Sequence, residues 1–305
     1  MITIIGSLNF DLVTTAKRIP EGGETVGATN FATFHGGKGA NEARAARRLS
    51  PSDVKVKMVG LVGDDTFGNE LRAGLEKEGV DVSQVNYSDK RTGIATILVD
   101  AEGENRILVY PGANGDFSID KVSEDLWAES EFVLLQNEIP LESTLEILKQ
   151  AAKTVKTVYN PSPILDVPNS AYENVDYLIV NAIEAGIIAH NDGNSVQTQN
   201  DAEKVLDSLL DLGVRTAVVV TLGSHGAVYA SKEGSERGFV SAAKVKHVVD
   251  TTGAGDTFLA GFISQVHQGK PLEESLQFAT KASAIVVSRE GAAASMPTLE
   301  EVLSS

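Results

Sequence analysis

An α/β fold, with a mostly parallel sheet covered by helices on both faces, is what this sequence predicts. Three observations carry the expectation. Short apolar runs that read as buried strands alternate with amphipathic helical periods along the chain. The helical periods fall between successive strands, where crossovers of a parallel sheet belong. Two stretches, residues 9 to 35 and 92 to 112, break the rhythm: they are strand-like, dotted with glycine and without a helical period.

The elements follow in order. The opening MITIIGSLNFDL has no basic flank and no small-residue cleavage site, so residues 3 to 5 read as a first strand ending at Gly6, not as a signal peptide. Residues 54 to 62 are β-branched and end in glycine. Phe67, Leu71 and Leu75 recur every four residues, and Gly79 stops that helix. Residues 132 to 135, 157 to 159, 177 to 180 and 217 to 222 are further strand candidates. Leu141, Leu145 and Leu148 form one helical stripe, and Val205, Leu209 and Leu212 another. The two irregular stretches suit a small antiparallel sheet projecting from the main body, as a lid over a cleft or as a plain edge. Without repeats or linker-like runs, residues 1 to 305 read as one domain with lid strands drawn from 9–35 and 92–112.

Composition narrows the function. With 305 residues, 42% hydrophobic, the chain can bury a large core. Lysine and arginine number 26 against 42 acidic residues, a net charge of −16. That field argues against bulk nucleic-acid or anionic-membrane binding, although a local nest of backbone N–H groups can still hold a phosphate. There is no cysteine, which excludes disulfides, thiolate zinc sites and a cysteine nucleophile and fits a cytosolic setting. No apolar run approaches the roughly 18 residues of a membrane span. The histidines are scattered with no H-E-x-x-H spacing, and Trp127 and the other aromatics form no stacking platform.

Five segments can carry chemistry. In Val249-Asp250-Thr251-Thr252-Gly253-Ala254-Gly255-Asp256-Thr257-Phe258, a glycine-rich turn feeds a helix marked by Phe258, Phe262 and Val266. Unpaired N–H groups and the positive helix end make such a turn an anion site. Asp256 would repel a phosphate unless it serves the other reactant, as base for an attacking hydroxyl; the plainer role is to complement the dipole. Neither the P-loop pattern nor G-x-G-x-x-G is met here. Gly36-Gly37-Lys38-Gly39-Ala40-Asn41 also opens a helix, with Ala43, Ala46 and Leu49 on one side, and is either a close ligand approach or a helix entry capped by Asn41. Asn9 and Asp11 share a strand face and suit sugar hydroxyls, or cap a turn. Thr221-Leu222-Gly223-Ser224-His225-Gly226 follows the most apolar strand, where ligands of open α/β sheets gather. Asn181 and Glu184 are spaced as a capping box, which is compatible with a ligand role.

Taken together and in order, GSLNFD, GGKGAN, LLQNEIP, NAIE, TLGSHG, DTTGAGDTF and EGAAASMP resemble the PfkB carbohydrate kinase family almost from end to end. GGKGAN with an N-x-D near residue 10 is most similar to the members that phosphorylate ribose. The resemblance implies a doubly wound α/β domain with a β-sheet lid that also pairs two subunits. It implies transfer of a phosphoryl group from ATP to O5 of D-ribose, with Asp256 as base and the backbone of Gly253, Ala254 and Gly255 as anion hole. Asn9, Asp11, Gly36, Gly37, Lys38, Gly39, Asn41 and Glu138 match the sugar site. Asn181, residues 221 to 226, Gly255 and Thr280 match nucleotide contacts. Glu184 matches an organiser of Mg²⁺ through water. Asp250, Thr252, Val286, Arg289, Gly291 and Ser295 match a K⁺ site beside the anion hole. A cytoplasmic homodimer is implied, the nucleus remaining open for a eukaryotic source. Deoxyribose, fructose or a nucleoside as acceptor, or a sugar-binding protein without activity, are the alternatives. Two departures stand out: EARAARR after GGKGAN is more charged than usual, and His225 stands where many relatives carry arginine.

Overall fold

The structure, a computed structural model, describes residues 1–189, 196 and 198–305. Its strands are β1 (Ile2–Ile5), β2 (Asn9–Ala16), β3 (Ala28–Gly36), β4 (Val56–Gly63), β5 (Asp81–Ser88), β6 (Gly93–Val99), β7 (Asn105–Tyr110), β8 (Phe132–Leu135), β9 (Lys156–Tyr159), β10 (Tyr177–Asn181), β11 (Ala217–Thr221), β12 (Gly226–Ser231) and β13 (Arg237–Ser241). Its helices are α1 (Lys38–Leu49), α2 (Thr66–Lys77), α3 (Leu126–Glu129), α4 (Leu141–Ala151), α5 (Ala182–Ile188), α6 (Gln199–Asp211), α7 (Ala254–Val266), α8 (Leu272–Val286) and α9 (Leu299–Leu303).

The main sheet has nine strands in the order β13-β12-β11-β10-β9-β8-β1-β4-β5. Strands β5 through β11 in that order run parallel, and β12 and β13 close one edge antiparallel. Period-two alternation splits the buried side chains between two faces. Ile4, Phe132, Leu134 and Val219 join the core shared with α1, α7 and α8. Ile5, Val133, Leu135, Val218 and Val220 join the one shared with α4 and α6. This is a doubly wound α/β architecture. The order reverses at β1, which lies between β8 and β4, so a crevice opens beyond the carboxyl ends of these strands.

The two irregular stretches form a separate four-stranded sheet, β3-β2-β6-β7. It is mixed, where the sequence suggested an antiparallel one: β2 pairs antiparallel with β3 and parallel with β6. The chain leaves this sheet after β3, makes α1, β4, α2 and β5 in the main body, and re-enters from the same end, which fixes β6 parallel to β2. The helical stripe in α4 is also shifted. Its buried face is Ser143, Thr144, Ile147, Leu148 and Ala151, while Leu141 and Leu145 line a surface groove with Lys149 and Pro168.

Candidate active site

Helix α7 begins at Gly253, whose φ of 76° is left-handed. A side chain there would be strained, and its Cβ would come within 3.0 Å of the Ala292 Cβ. The N–H of Ala254 donates to the Thr251 carbonyl at 3.2 Å, and the space a Cβ on Gly255 would enter is open to 4 Å. Open space beside a helix N-terminus suits an anion. Asp256, in the first turn of α7 and buried, accepts at Oδ2 from the Asn41 amide at 2.8 Å. The Lys38 ammonium lies 3.9 Å from its Oδ1. GGKGAN and GAGD, 215 residues apart in the Asn41–Asp256 pair, therefore meet.

The same point collects the expected sugar groups. Asn9 and Asp11 sit on β2, paired with Gly36 and Phe34 of β3. A Cβ on Gly36 would stand 2.2 Å from an Asp11 carboxylate oxygen, and one on Gly37 would stand 2.6 Å from the Asn9 nitrogen. Glycine at both positions lets β3 turn into α1 against β2. Glu138, just past β8, accepts at Oε2 from the Ser7 hydroxyl at 2.5 Å and from the Lys38 N–H at 2.9 Å. Burial pushes the Asp11 carboxyl up to about 7, with the charges of Glu138 and Asp256 adding to the effect. Burial pulls the Lys38 ammonium down, but nearby carboxylates, Asp256 and Glu138 foremost, outweigh it and hold Lys38 above the usual lysine range. Lys38 is thus the cation at the hub of these carboxylates.

Two residues that the sequence did not flag orient this cluster. Asn114 donates to the Asn9 Oδ1 at 2.8 Å and accepts from the Leu8 N–H at 2.9 Å. Ser7 fixes Glu138. Ser7 lies inside GSLNFD and Asn114 just beyond the second glycine-dotted stretch, but nothing in the local sequence shows that they meet these partners.

The expected nucleotide residues line up at the neighbouring strand ends. Asn181 and Thr221 are register partners on β10 and β11. Asn181 caps α5 by accepting from the Glu184 N–H at 2.9 Å, and buried Glu184 reciprocates at 2.9 Å. Leu222 is buried, and Gly223, Ser224 and His225 are exposed in a short turn that closes at Gly226. The His225 Nδ1 lies 3.3 Å from the Leu222 carbonyl. Thr280, on α8, spends its hydroxyl on the Gln277 carbonyl of its own helix.

The residues matched to a cation join two loops behind the anion turn. Asp250 accepts at Oδ1 from the N–H and hydroxyl of Thr252, and at Oδ2 from the Gly291 N–H at 3.0 Å. Burial pushes the Asp250 carboxyl up, but these bonds outweigh it and hold it below its ordinary range. The Val287 carbonyl at the end of α8 accepts from Val249. Arg289 pairs with Glu301 and reaches the Ser295 carbonyl at 3.4 Å. Carbonyl oxygens and one carboxylate are hard donors, which fits a hard monovalent cation. Arg48, from the far end of α1, donates to the carbonyls of Ala293 and Met296 and so pins this loop.

Comparison with known proteins agrees with this geometry. A family model described as pfkB family carbohydrate kinase matches residues 1–299. A ribokinase of Schizosaccharomyces pombe is 46% identical over 308 residues, covering 99% of this chain and 96% of that protein. The ribokinase of Thermotoga maritima superposes with a TM-score of 0.90 at 34% identity, covering 99% of this chain and 98% of the other. Arabidopsis thaliana ribokinase, solved with ribose and ATP, gives 0.90 at 31% identity over 99% and 97%. With the match running through every segment that meets in the crevice, the chain belongs to the pfkB family of carbohydrate kinases.

Proposed function

We propose that this protein transfers the γ-phosphoryl group of ATP to O5 of D-ribose, giving D-ribose 5-phosphate and ADP. The observation that carries the reading is the meeting of Asp256 and Asn41 at the head of α7, beside Lys38 and the carboxylates of Asp11 and Glu138. A pocket rich in acceptors suits a small polyol, because each hydroxyl can be paired.

In this reading Asn9, Asp11, Asn41 and Glu138, with the backbone of residues 36 to 39, hold the sugar so that O5 faces Asp256. Asp256 takes the proton of that hydroxyl as the oxygen attacks in line. The N–H groups of Gly253, Ala254 and Gly255 receive the transferring group, the N–H of Ala254 being released from the Thr251 carbonyl as they do so. Asn181, Thr221 to Gly226 and Thr280 carry the nucleotide. Glu184 organises Mg²⁺ through water, and the ion when bound neutralises charge on the phosphates. The Asp250 carboxylate and main-chain oxygens among Asp250, Thr252, Val286, Arg289, Gly291 and Ser295 would hold K⁺, and the ion when bound would stiffen the loop presenting the anion turn. The small sheet serves as a lid and, through its outer face, pairs two copies of the chain. A cytoplasmic location fits the lack of cysteine; among the described residues no helix is long and apolar enough to cross a membrane.

The test is ATP consumption and product identity with a panel of ribose, 2-deoxyribose, fructose and adenosine. Ribose should give the highest kcat/KM. Better turnover of another acceptor reassigns the substrate, and no ATP-dependent product with any of them defeats the kinase reading.

A further inference from the structure

Glu42 follows Asn41 on α1 and takes no part in the chemistry above. It is 1% exposed, and Gln136, which follows β8, is fully buried. The Gln136 amide nitrogen donates to the Glu42 Oε2. The Glu42 Oε1 and the Gln136 Oε1 are both buried without a partner. Two orphaned acceptors at one buried junction are costly if left so. A single proton removes both vacancies. Placed on the Glu42 Oε1, it makes that oxygen a donor to the one acceptor in the pair that lacks one.

We propose that Glu42 is held as an uncharged carboxylic acid, hydrogen-bonded in both directions with Gln136, and that this acid–amide pair is a positioning element of the sugar site. The electrostatics agree. Burial pushes the Glu42 carboxyl well above its ordinary range and the charge of Asp256 pushes further; the Gln136 bond and Lys38 act against this, and Glu138 with it. The charged groups facing Glu42 are therefore Asp256 on α7, Lys38 on its own helix and Glu138 beyond β8. Position explains the use. Asn41 precedes Glu42, and Glu138 lies two residues beyond Gln136. The pair locks α1 to the β8 loop at the points from which both sugar groups project.

The inference rests on the sugar-site reading above, so its test separates the two. Isotope-edited infrared spectra of the full protein, labelled at glutamate Cδ, are compared between wild type and Glu42→Gln. A carboxylic-acid carbonyl band at pH 7 that vanishes in Glu42→Gln is expected; its absence in wild type overturns the protonation. Glu42→Leu keeps the volume but leaves Gln136 unpaired, and should raise KM for ribose by roughly tenfold. Glu42→Gln can donate and accept, and should restore KM at neutral pH. It should also remove the alkaline limb of kcat/KM that appears in wild type as Glu42 ionises beside Asp256. A Glu42→Gln protein as impaired as Glu42→Leu at unchanged melting temperature overturns the pairing, because a charge would then be what the site needs. Should Glu42→Leu fail to fold, the Glu42→Gln profile and the infrared band still decide. A wild type that phosphorylates no sugar counts against the kinase reading alone, leaving the infrared result intact.

Discussion

At the scale of single residues, Asp256 separates a mechanism from a helix cap. Complementing the α7 dipole would be worth about 0.3–1 kcal/mol. A positioned base is worth roughly 10²–10⁴ in rate. Asp256→Asn keeps the partner of Asn41 and removes the proton acceptor, so kcat should fall into that range. A loose phosphoryl transition state leaves the proton on the nucleophile until late, which favours the lower end. Melting temperature and ATP affinity in the same variant should stay near wild type; a near-normal kcat would return Asp256 to the cap. Asp11 makes a second demand. Its carboxyl titrates near 7 when folded and at the ordinary 3.8 when free. The folded state thus binds the proton more tightly, and the penalty for ionising Asp11 grows from about pH 4 and is complete above pH 7. Asp11→Asn should gain melting temperature over wild type between pH 5 and pH 8 while its KM for ribose rises. A difference in melting temperature that stays flat with pH would show that Asp11 is not desolvated.

Helix α1 explains how separate elements act as one. Its first turn carries Lys38 and Asn41, and its last turn sends Arg48 to the carbonyls of Ala293 and Met296. The proposed sugar site and the proposed cation loop are thus fastened to opposite ends of one rigid rod. Exchange of K⁺ for Na⁺ at constant ionic strength should lower kcat severalfold and leave KM for ribose nearly unchanged, because the ion orders the anion turn and not the sugar groups. Equal rates in K⁺, Na⁺ and a bulky organic cation would remove the site. Elements of this kind were unevenly legible. The buried parallel strands announce themselves by apolar runs, and α1 and α7 by their glycine-rich entries. Strand β5 did not: only Val82 and Val85 are buried along it, and the rest is the polar edge of a sheet. The hairpin of β12 and β13 was missed as well, because antiparallel strands at an edge break the βα rhythm. In the site, each GGKGAN or GAGD segment could be seen alone, whereas the contacts of Asn114 with Asn9 and of Glu42 with Gln136 span 105 and 94 residues and leave no local trace.

For the whole molecule, the informative surface is the small sheet. Every residue of β7 is exposed, with Leu108 at 70% and Ile107, Val109 and Tyr110 beside it. Phe31 on β3 adds to the apolar surface. Exposed apolar side chains on both edge strands of one small sheet suit an interface, and a second copy of the chain is the occupant the proposed function calls for. Leu108→Lys should shift the protein from dimer to monomer in light scattering at micromolar concentration; a wild type already monomeric, or a variant still dimeric, would move the interface elsewhere. The same sheet has a further consequence. Asn9 and Asp11 lie on β2, an inner strand that leaves β1 after only three residues. Under the proposed function, the groups that read the sugar are therefore woven into the cover itself. A sugar of the right pattern tethers the cover from beneath, and a water molecule in its place tethers nothing. Under the proposed function, bound nucleotide alone would face an unlatched cleft with its target absent and its base unaimed, so futile hydrolysis would be held down by architecture, before any question of chemical barrier arises.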